Sequence, residues 1–240
     1  MYNSVMTKKK VMVNILNLGT THAGLETMVI EWMRQYSDRY DFSLYLPTAR
    51  PIPNNRNTIC KKFIEGGWDW LVMFDEDNIP TRNPFSMLDH DLPVCGGVYP
   101  GRGSKGFNFH VFDLDREQYP EHIFFKFIQD PDRRVGVQKV DAVATGCIAI
   151  KRFVIEKMYK KGWAPCEELF DKYGIMITSD DMAFCLKCMK LKIPVYADWN
   201  LIVDHIKEIS LLDCVELIIR AAASGKAEIN VKDVKDIRHD

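Results

Sequence analysis

The chain has no excess of either charge. Its 32 Lys and Arg stand against 33 Asp and Glu, a formal net charge of -1. A dedicated nucleic-acid or membrane-surface protein is normally basic, so that class is disfavoured. The cluster Lys157-Lys160-Lys161 could meet an anionic partner, and a solvated helix face explains it as well. No stretch of the sequence reaches the roughly 18–20 apolar residues of a membrane span. The start, MYNSVMTKKK followed by VMVNILNL, looks superficially like a signal peptide. Its apolar part is short, holds Asn14 and Asn17, and lacks a small-residue cleavage site, so it reads as a first strand. A second Cys-x-x-Cys to match Cys185-x-x-Cys188 is absent, and the seven cysteines are scattered through apolar stretches. Reduced core thiols in a cytoplasmic protein are expected, rather than zinc or disulfides. Repeats, linkers and low-complexity blocks are missing too. With 240 residues, 47% of them hydrophobic, one domain over 1–240 is expected.

The hydrophobic pattern alternates strand and helix. Residues 11–18 read as a buried strand. Leu25, Met28, Val29, Trp32, Met33 and Tyr36 then share a helical face, with Thr20 or Thr21 as cap. A strand at 42–47 and a helix at 55–65 ended by Gly66-Gly67 follow, then the apolar strand 68–74. This order predicts an α/β fold with a parallel sheet and helices on both faces, the first half binding a nucleotide. Further on, the pattern gives a strand at 93–99 and a glycine-rich, mobile stretch at 100–106. Short strands are expected at 109–113 and 123–128, and one long strand at 140–150. Helices follow at 152–161 and 180–191, extended pieces at 194–197 and 201–204, and a final helix at 211–223.

Asp75-Glu76-Asp77 directly follows the apolar strand, where such sheets place ligands. Adjacent carboxylates repel and leave water together only if a cation offsets them. Mg²⁺ or Mn²⁺ takes carboxylate oxygens and bridges to phosphates. A solvated turn built on Asn78 and Pro80 is the other reading of the same residues. Ser179-Asp180-Asp181 opens the helix 180–191; it reads as an N-cap or as the home of a general base. His205 follows a strand and is either a satisfied histidine or a neutral-imidazole metal ligand.

Taken in order, these segments resemble GT-A-fold glycosyltransferases, most like the family-2 type and its compact phage-encoded relatives. The likeness rests on Asn55-Arg56-Asn57, on Leu71 to Asn78 as the DxD strand, and on Gly96-Gly97-Val98-Tyr99-Pro100 with Arg102. It continues through Asp141 to Cys147, Ser179-Asp180-Asp181-x-x-Phe184-Cys185 and Asp204-His205, covering about 11–207. Asp180 stands where glutamate is usual. The resemblance implies a nucleotide-binding half at 11–100, an acceptor and catalytic half at 101–207, and a tail at 208–240. It also implies a nucleotide-diphosphate sugar as donor, with UDP the commoner case. Asn17 to Thr21, with Thr20 among them, and the loop near Thr48 would hold base and ribose. Arg56 would touch base or diphosphate, and Asp75, Glu76, Arg102, Thr145 and Gly146 would line the donor site. Asp77, Asp75 and His205 would hold Mn²⁺ or Mg²⁺. Asp181, beside Asp180, would be the base of an inverting transfer. The acceptor is left open between a glycan, a protein, a small molecule and a modified nucleobase. A viral origin would place the enzyme in the host cytoplasm.

Two other readings compete. A haloacid-dehalogenase-like, Mg²⁺-dependent phosphatase would use Asp75 as nucleophile, but its motif belongs on a first strand. A non-catalytic nucleotide-sugar-binding module would not need every acidic position filled. Loop 100–108, with Arg102 and Lys105, reads as a lid or as an idle surface loop. Trp163, Phe170 and Tyr173 read as stacking platforms or as core.

Overall fold

A computed structural model describes residues 7–16, 24–47, 51–103, 106–115, 125–207 and 219. The chain divides into a unit Met1–His205 and a unit Ile206–Asp240. Of the second, Ile206, Lys207 and Ile219 are described, so the helix expected at 211–223 falls outside apart from the helical Ile219. Among the described residues no helix is long and apolar enough to cross a membrane.

The first unit begins β1 (Lys9–Leu16), α1 (Leu25–Gln35), β2 (Tyr40–Tyr45), α2 (Ile52–Glu65), β3 (Trp70–Asp75), β4 (Asn78–Pro80), α3 (Ser86–Asp89) and β5 (Val94–Val98). It continues β6 (Pro100–Gly103), β7 (Gly106–Phe109), β8 (Val111–Leu114), β9 (Phe125–Phe127), β10 (Val137–Val140), β11 (Ala142–Val143) and β12 (Cys147–Lys151). It ends α4 (Arg152–Lys160), β13 (Leu169–Phe170), β14 (Met176–Thr178), α5 (Asp180–Lys190) and β15 (Val195–His205).

Alternation along the strands sorts the core into two layers. Val11, Val13 and Ile15 of β1, with Trp70, Val72 and Phe74 of β3, join Leu25 and Val29 of α1 on one side. Met12, Leu16, Leu71 and Met73 face the other way, against Ile59 and Phe63 of α2, Val154 and Ile155 of α4, and Phe184 of α5. Helices thus cover both faces of one central sheet, ordered β10-β15-β5-β12-β3-β1-β2, with β4 attached to β15. β12 runs against both β3 and β5, so those two share a direction. β1, β2 and β15 point the same way, which makes the sheet mostly parallel. Asp75, Val98 and His205 end β3, β5 and β15 at the carboxyl edge.

Four expectations are corrected. α1 starts at Leu25 with Gly24, whose φ is 102°, as its N-cap in place of the expected Thr20 or Thr21, which lie outside the described residues. The stretch 100–106 contains β6, which pairs with β7 as a hairpin. The strand expected at 140–150 is three strands. At Asp141 the backbone N–H donates to Phe112 O and Oδ2 accepts from Leu114 N–H, and these bonds draw Ala142–Val143 into a separate sheet with β8 and β9. Residues 144–146 then cross back to β12. The two pieces at 194–204 are one strand with a register shift between Asp198 and Ile202. As expected, the six described cysteines are free and buried. Burial pushes the Cys185 thiol up to about 12, so it stays protonated.

The sheet floor near the carboxyl edge is tight. A Cβ at Gly96 would lie 2.9 Å from Val143 Cγ2 and 3.2 Å from Val143 Cβ. Gly96→Ala should cost about 1–3 kcal/mol by overpacking, seen as a lower urea midpoint; an unchanged midpoint would show that Val143 can give way.

Candidate active site

Five elements converge on the carboxyl edge. α2 turns Asn55 and Arg56 inward with its apolar face, and Arg56 is left 4% exposed at its side chain. A guanidinium that deep needs anions around it. Its Nη2 donates to both oxygens of Asp75, at 2.9 and 3.0 Å. Its Nη1 donates to Asp180 Oδ2 and to Asp181 Oδ1, each at 2.7 Å. One cation therefore gathers the end of β3 and the first turn of α5. Thr145 Oγ donates to the same Asp181 Oδ1 at 2.8 Å, which adds the crossing between β11 and β12.

The electrostatics follow from one charge against three. Burial works against the charged Arg56, but Asp75, Asp181 and Asp180 outweigh it and hold it protonated. Burial lifts Asp75 above the ordinary carboxylate range; Arg56 pulls it back and Asp181 adds to the lift. Asp180 is lifted for the same reasons in the same order. Burial, with Asp181 and Asp75 nearby, also raises the Tyr99 phenol well above its usual value.

A second cluster sits one turn beyond β3. β4 pairs with β15 so that Asn78 lies opposite His205. That register brings His205 Nε2 to 3.6 Å from Asp77 Oδ2. His205 Nδ1 lies 3.0 Å from Pro100 O, a carbonyl that can only accept, so Nδ1 carries a proton. Nε2 is turned towards the carboxylate: an imidazolium pairs with it directly, and a neutral ring can share a cation with it. The carboxylate oxygen suits Mn²⁺ or Mg²⁺, and the imidazole nitrogen favours the transition metal of the two, Mn²⁺. Asp75, expected beside that metal, has both oxygens engaged by Arg56. Among the described residues no group of three or more His, Cys, Asp or Glu is arranged to hold a metal. The pair fits an ion that takes its remaining ligands from substrate phosphates and water, as Mg²⁺ commonly does.

The floor between the clusters is closely fitted. A Cβ at Gly146 would lie 2.6 Å from Asn78 Nδ2 and 2.9 Å from the Tyr99 hydroxyl. The Gly146 N–H donates to that hydroxyl at 3.3 Å, and Asn78 Nδ2 donates to Asp77 Oδ1 at 3.0 Å. Sequence reasoning does not single out Asn78 or Tyr99 as site residues. Their signal is membership of the resembled segments Leu71 to Asn78 and Gly96 to Pro100, which give neither a role in the site. Glu76 sits half-buried in the turn between β3 and β4. Thr20, Thr48, Lys105 and the side chain of Arg102 fall outside the described residues. Trp163 packs against the core, whereas Phe170 and Tyr173 are exposed.

No protein-family model and no curated protein matches the sequence. Among solved structures, the chain is similar to A197 from STIV, with TM-score 0.51 and 18% identity over 83% of this chain and 86% of that one. It is also similar to GalNAc-T7, solved with UDP, GalNAc and Mn²⁺, with TM-score 0.47 and 10% identity over 84% of this chain and 44% of that one. A third is the nucleoside-diphosphate-sugar pyrophosphorylase from Vibrio cholerae RC9, with TM-score 0.36 and 10% identity over 82% of this chain and 73% of that one. At those TM-scores the latter two carry no argument. The likeness to A197 shows a shared fold and, with the sheet order above, bears out the α/β, GT-A-type architecture expected from the sequence.

Arg56→Met would leave three carboxylates without their shared cation and should cost about 3 kcal/mol in urea unfolding. Arg56→Lys should cost less but not nothing, because one ammonium cannot reproduce the fork. Equal midpoints for wild type and Arg56→Met would sink this account. For Asp180 the sign is the reverse of the usual carboxylate. A lifted native value means the folded state holds the proton longer, so its contribution is greatest in acid and falls as pH rises above about 4. Asp180→Asn should flatten the fall of the urea midpoint between about pH 4 and pH 7; an unaltered slope would place the effect elsewhere.

Proposed function

We propose that this chain is a metal-dependent glycosyltransferase that moves a sugar from a nucleotide-diphosphate donor to an acceptor hydroxyl. The observation that carries this reading is the division of labour among the acids. Asp77 faces His205 as a ligand pair, while Asp181 is held separately by Arg56 and Thr145. The ordered resemblance over 11–207 supplies the substrate class, with UDP as the first nucleotide to try.

Asp77 and His205 would hold Mn²⁺ or Mg²⁺, which when bound offsets charge building on the departing diphosphate. Asp181 acts as general base. Its side chain is 21% exposed against 11% for Asp180, so of the two it is the more open to an acceptor. It takes the acceptor proton, the freed oxygen bonds to the anomeric carbon, and the bond to the diphosphate breaks with its electron pair leaving on the diphosphate. Attack from the face opposite the leaving group gives inversion. Arg56 and Asp75 position this base rather than touch the donor. Gly146, Asn78 and Tyr99 form the floor on which the sugar lies. Thr20, Thr48, Glu76, Arg102 and Thr145 complete the donor site. The acceptor is any of the four classes named above.

Asp75 as a phosphatase nucleophile fits poorly, since Arg56 engages both its oxygens. The test is hydrolysis of a panel of UDP- and GDP-sugars with Mn²⁺, Mg²⁺ or EDTA. One nucleotide diphosphate should be released only with metal. Asp77→Ala and His205→Ala should each lower the rate at least tenfold and raise the metal needed for half-maximal rate. Neither turnover nor metal-dependent donor binding across the panel would refute the reading.

A further inference from the structure

Behind the C-terminal part of α5 lies a cavity of about 510 Å³ that plays no part in the reaction above. Its floor is apolar, formed by the buried Val140, Cys185, Ile193 and Val195. Lys139 and Lys192 line it as well, and both are exposed. Among the described residues neither lysine has an ion-pair partner. Asp141 also lines the cavity, but its Oδ2 accepts from the Leu114 N–H at 2.8 Å. The volume falls within the roughly 300–1,000 Å³ of small-molecule sites. An apolar floor with two cations beside it is complementary to an anion carried on an apolar body.

The backbone at Lys192 is a second, independent observation. Its φ is +55°, in the left-handed region that favours glycine. It directly follows the end of α5, where its N–H donates to Met189 O at 3.0 Å and the next N–H donates to Cys188 O at 2.8 Å. Glycine is the common residue there, and a lysine stands in its place. A cation does complement a helix C-terminus. That accounts for the charge of Lys192, but not for Lys139 or for the cavity that both line.

We propose that this cavity binds a small amphipathic anion, a carboxylate or phosphate on a short apolar body. The site is separate from the donor site yet shares its helix. Cys185, on the floor, stands one helical turn after Asp181, and its thiol donates to Val143 O at 3.4 Å. A ligand there would rest on the helix that carries the general base without touching the reacting groups.

The test uses 8-anilinonaphthalene-1-sulfonate as a fluorescent probe on the full chain. One saturable site per chain is expected. Octanoate and octyl phosphate should displace the probe, and the tighter of the two identifies the headgroup. Inorganic phosphate and 1-octanol, which carry the charge or the apolar body alone, should be at least tenfold weaker. Glycine suits the Lys192 backbone and Lys139 is exposed, so the double variant Lys139→Gln with Lys192→Gly should keep its circular-dichroism spectrum. It should bind octanoate at least tenfold more weakly. Unsaturable probe binding, octanol as effective as octanoate, or a double variant with wild-type affinity would each overturn the proposal. Donor hydrolysis does not enter the readout, so this site and the proposed transferase activity stand or fall separately.

Discussion

A single buried arginine sets the terms for the carboxyl edge of the sheet. Arg56 is the meeting point of α2, β3 and α5, and each of its hydrogen bonds goes to a carboxylate. Its planar fork matches this task. One terminal nitrogen serves both oxygens of Asp75, and the other spans Asp180 and Asp181. Guanidinium does not lose its proton at any pH the protein meets, so the anchor has one charge state. The arrangement is not a cheap source of stability. Taking these ions out of water costs about what their attraction returns. Its value is geometric, because it fixes where the acids of two distant segments, β3 and α5, stand.

One cation against three carboxylates leaves the edge negative, and Asp77 lies just outside the group that Arg56 neutralises. The two clusters therefore differ in kind. Asp75, Asp180 and Asp181 share the Arg56 guanidinium, whereas Asp77 accepts from Asn78 Nδ2 and lies 3.6 Å from His205 Nε2. An incoming cation gains most at the second. The same division explains why Asp75 and Asp77, two residues apart in sequence, do different things. Asp75 is still in β3 and is turned back towards α2. Asp77 is past the strand end, where the pairing of β4 with β15 carries it to His205.

Much of this was legible from pattern alone. An apolar run closing on Asp75 marks the end of β3, and Ser179 followed by two aspartates marks the start of α5, because strand ends and helix starts have local signals. The segments that misled lack such signals. The stretch 140–150 is mostly apolar, which suits the three-stranded sheet and the central sheet equally well, and the breaks at Asp141 and at Thr145-Gly146 are too short to read as loops. α1 begins on the backbone conformation of Gly24 rather than on a capping side chain, so threonines upstream gave a false start. β4 is three residues long and exists because β15 lies beside it. The bonds from Arg56 to Asp180 and Asp181 span 124 and 125 residues, and no local pattern encodes a partner that far away. The sequence marks out the acids at the strand end and the helix start. Their allocation between the arginine and the histidine is a property of the folded chain.

That same separation bears on how the molecule is made. A ribosome adding about 5–20 residues per second needs roughly 6–25 s to travel from Arg56 to Asp180. Through that interval α2 exists with a guanidinium on its inward face and only Asp75, of its three partners, yet synthesised. β15, which separates β5 from β10 in the finished sheet, emerges later still. The strand that closes the sheet and two of the arginine's three partners thus leave the ribosome long after α2 itself. Until α5 arrives, Arg56 has one of its three carboxylates to pair with.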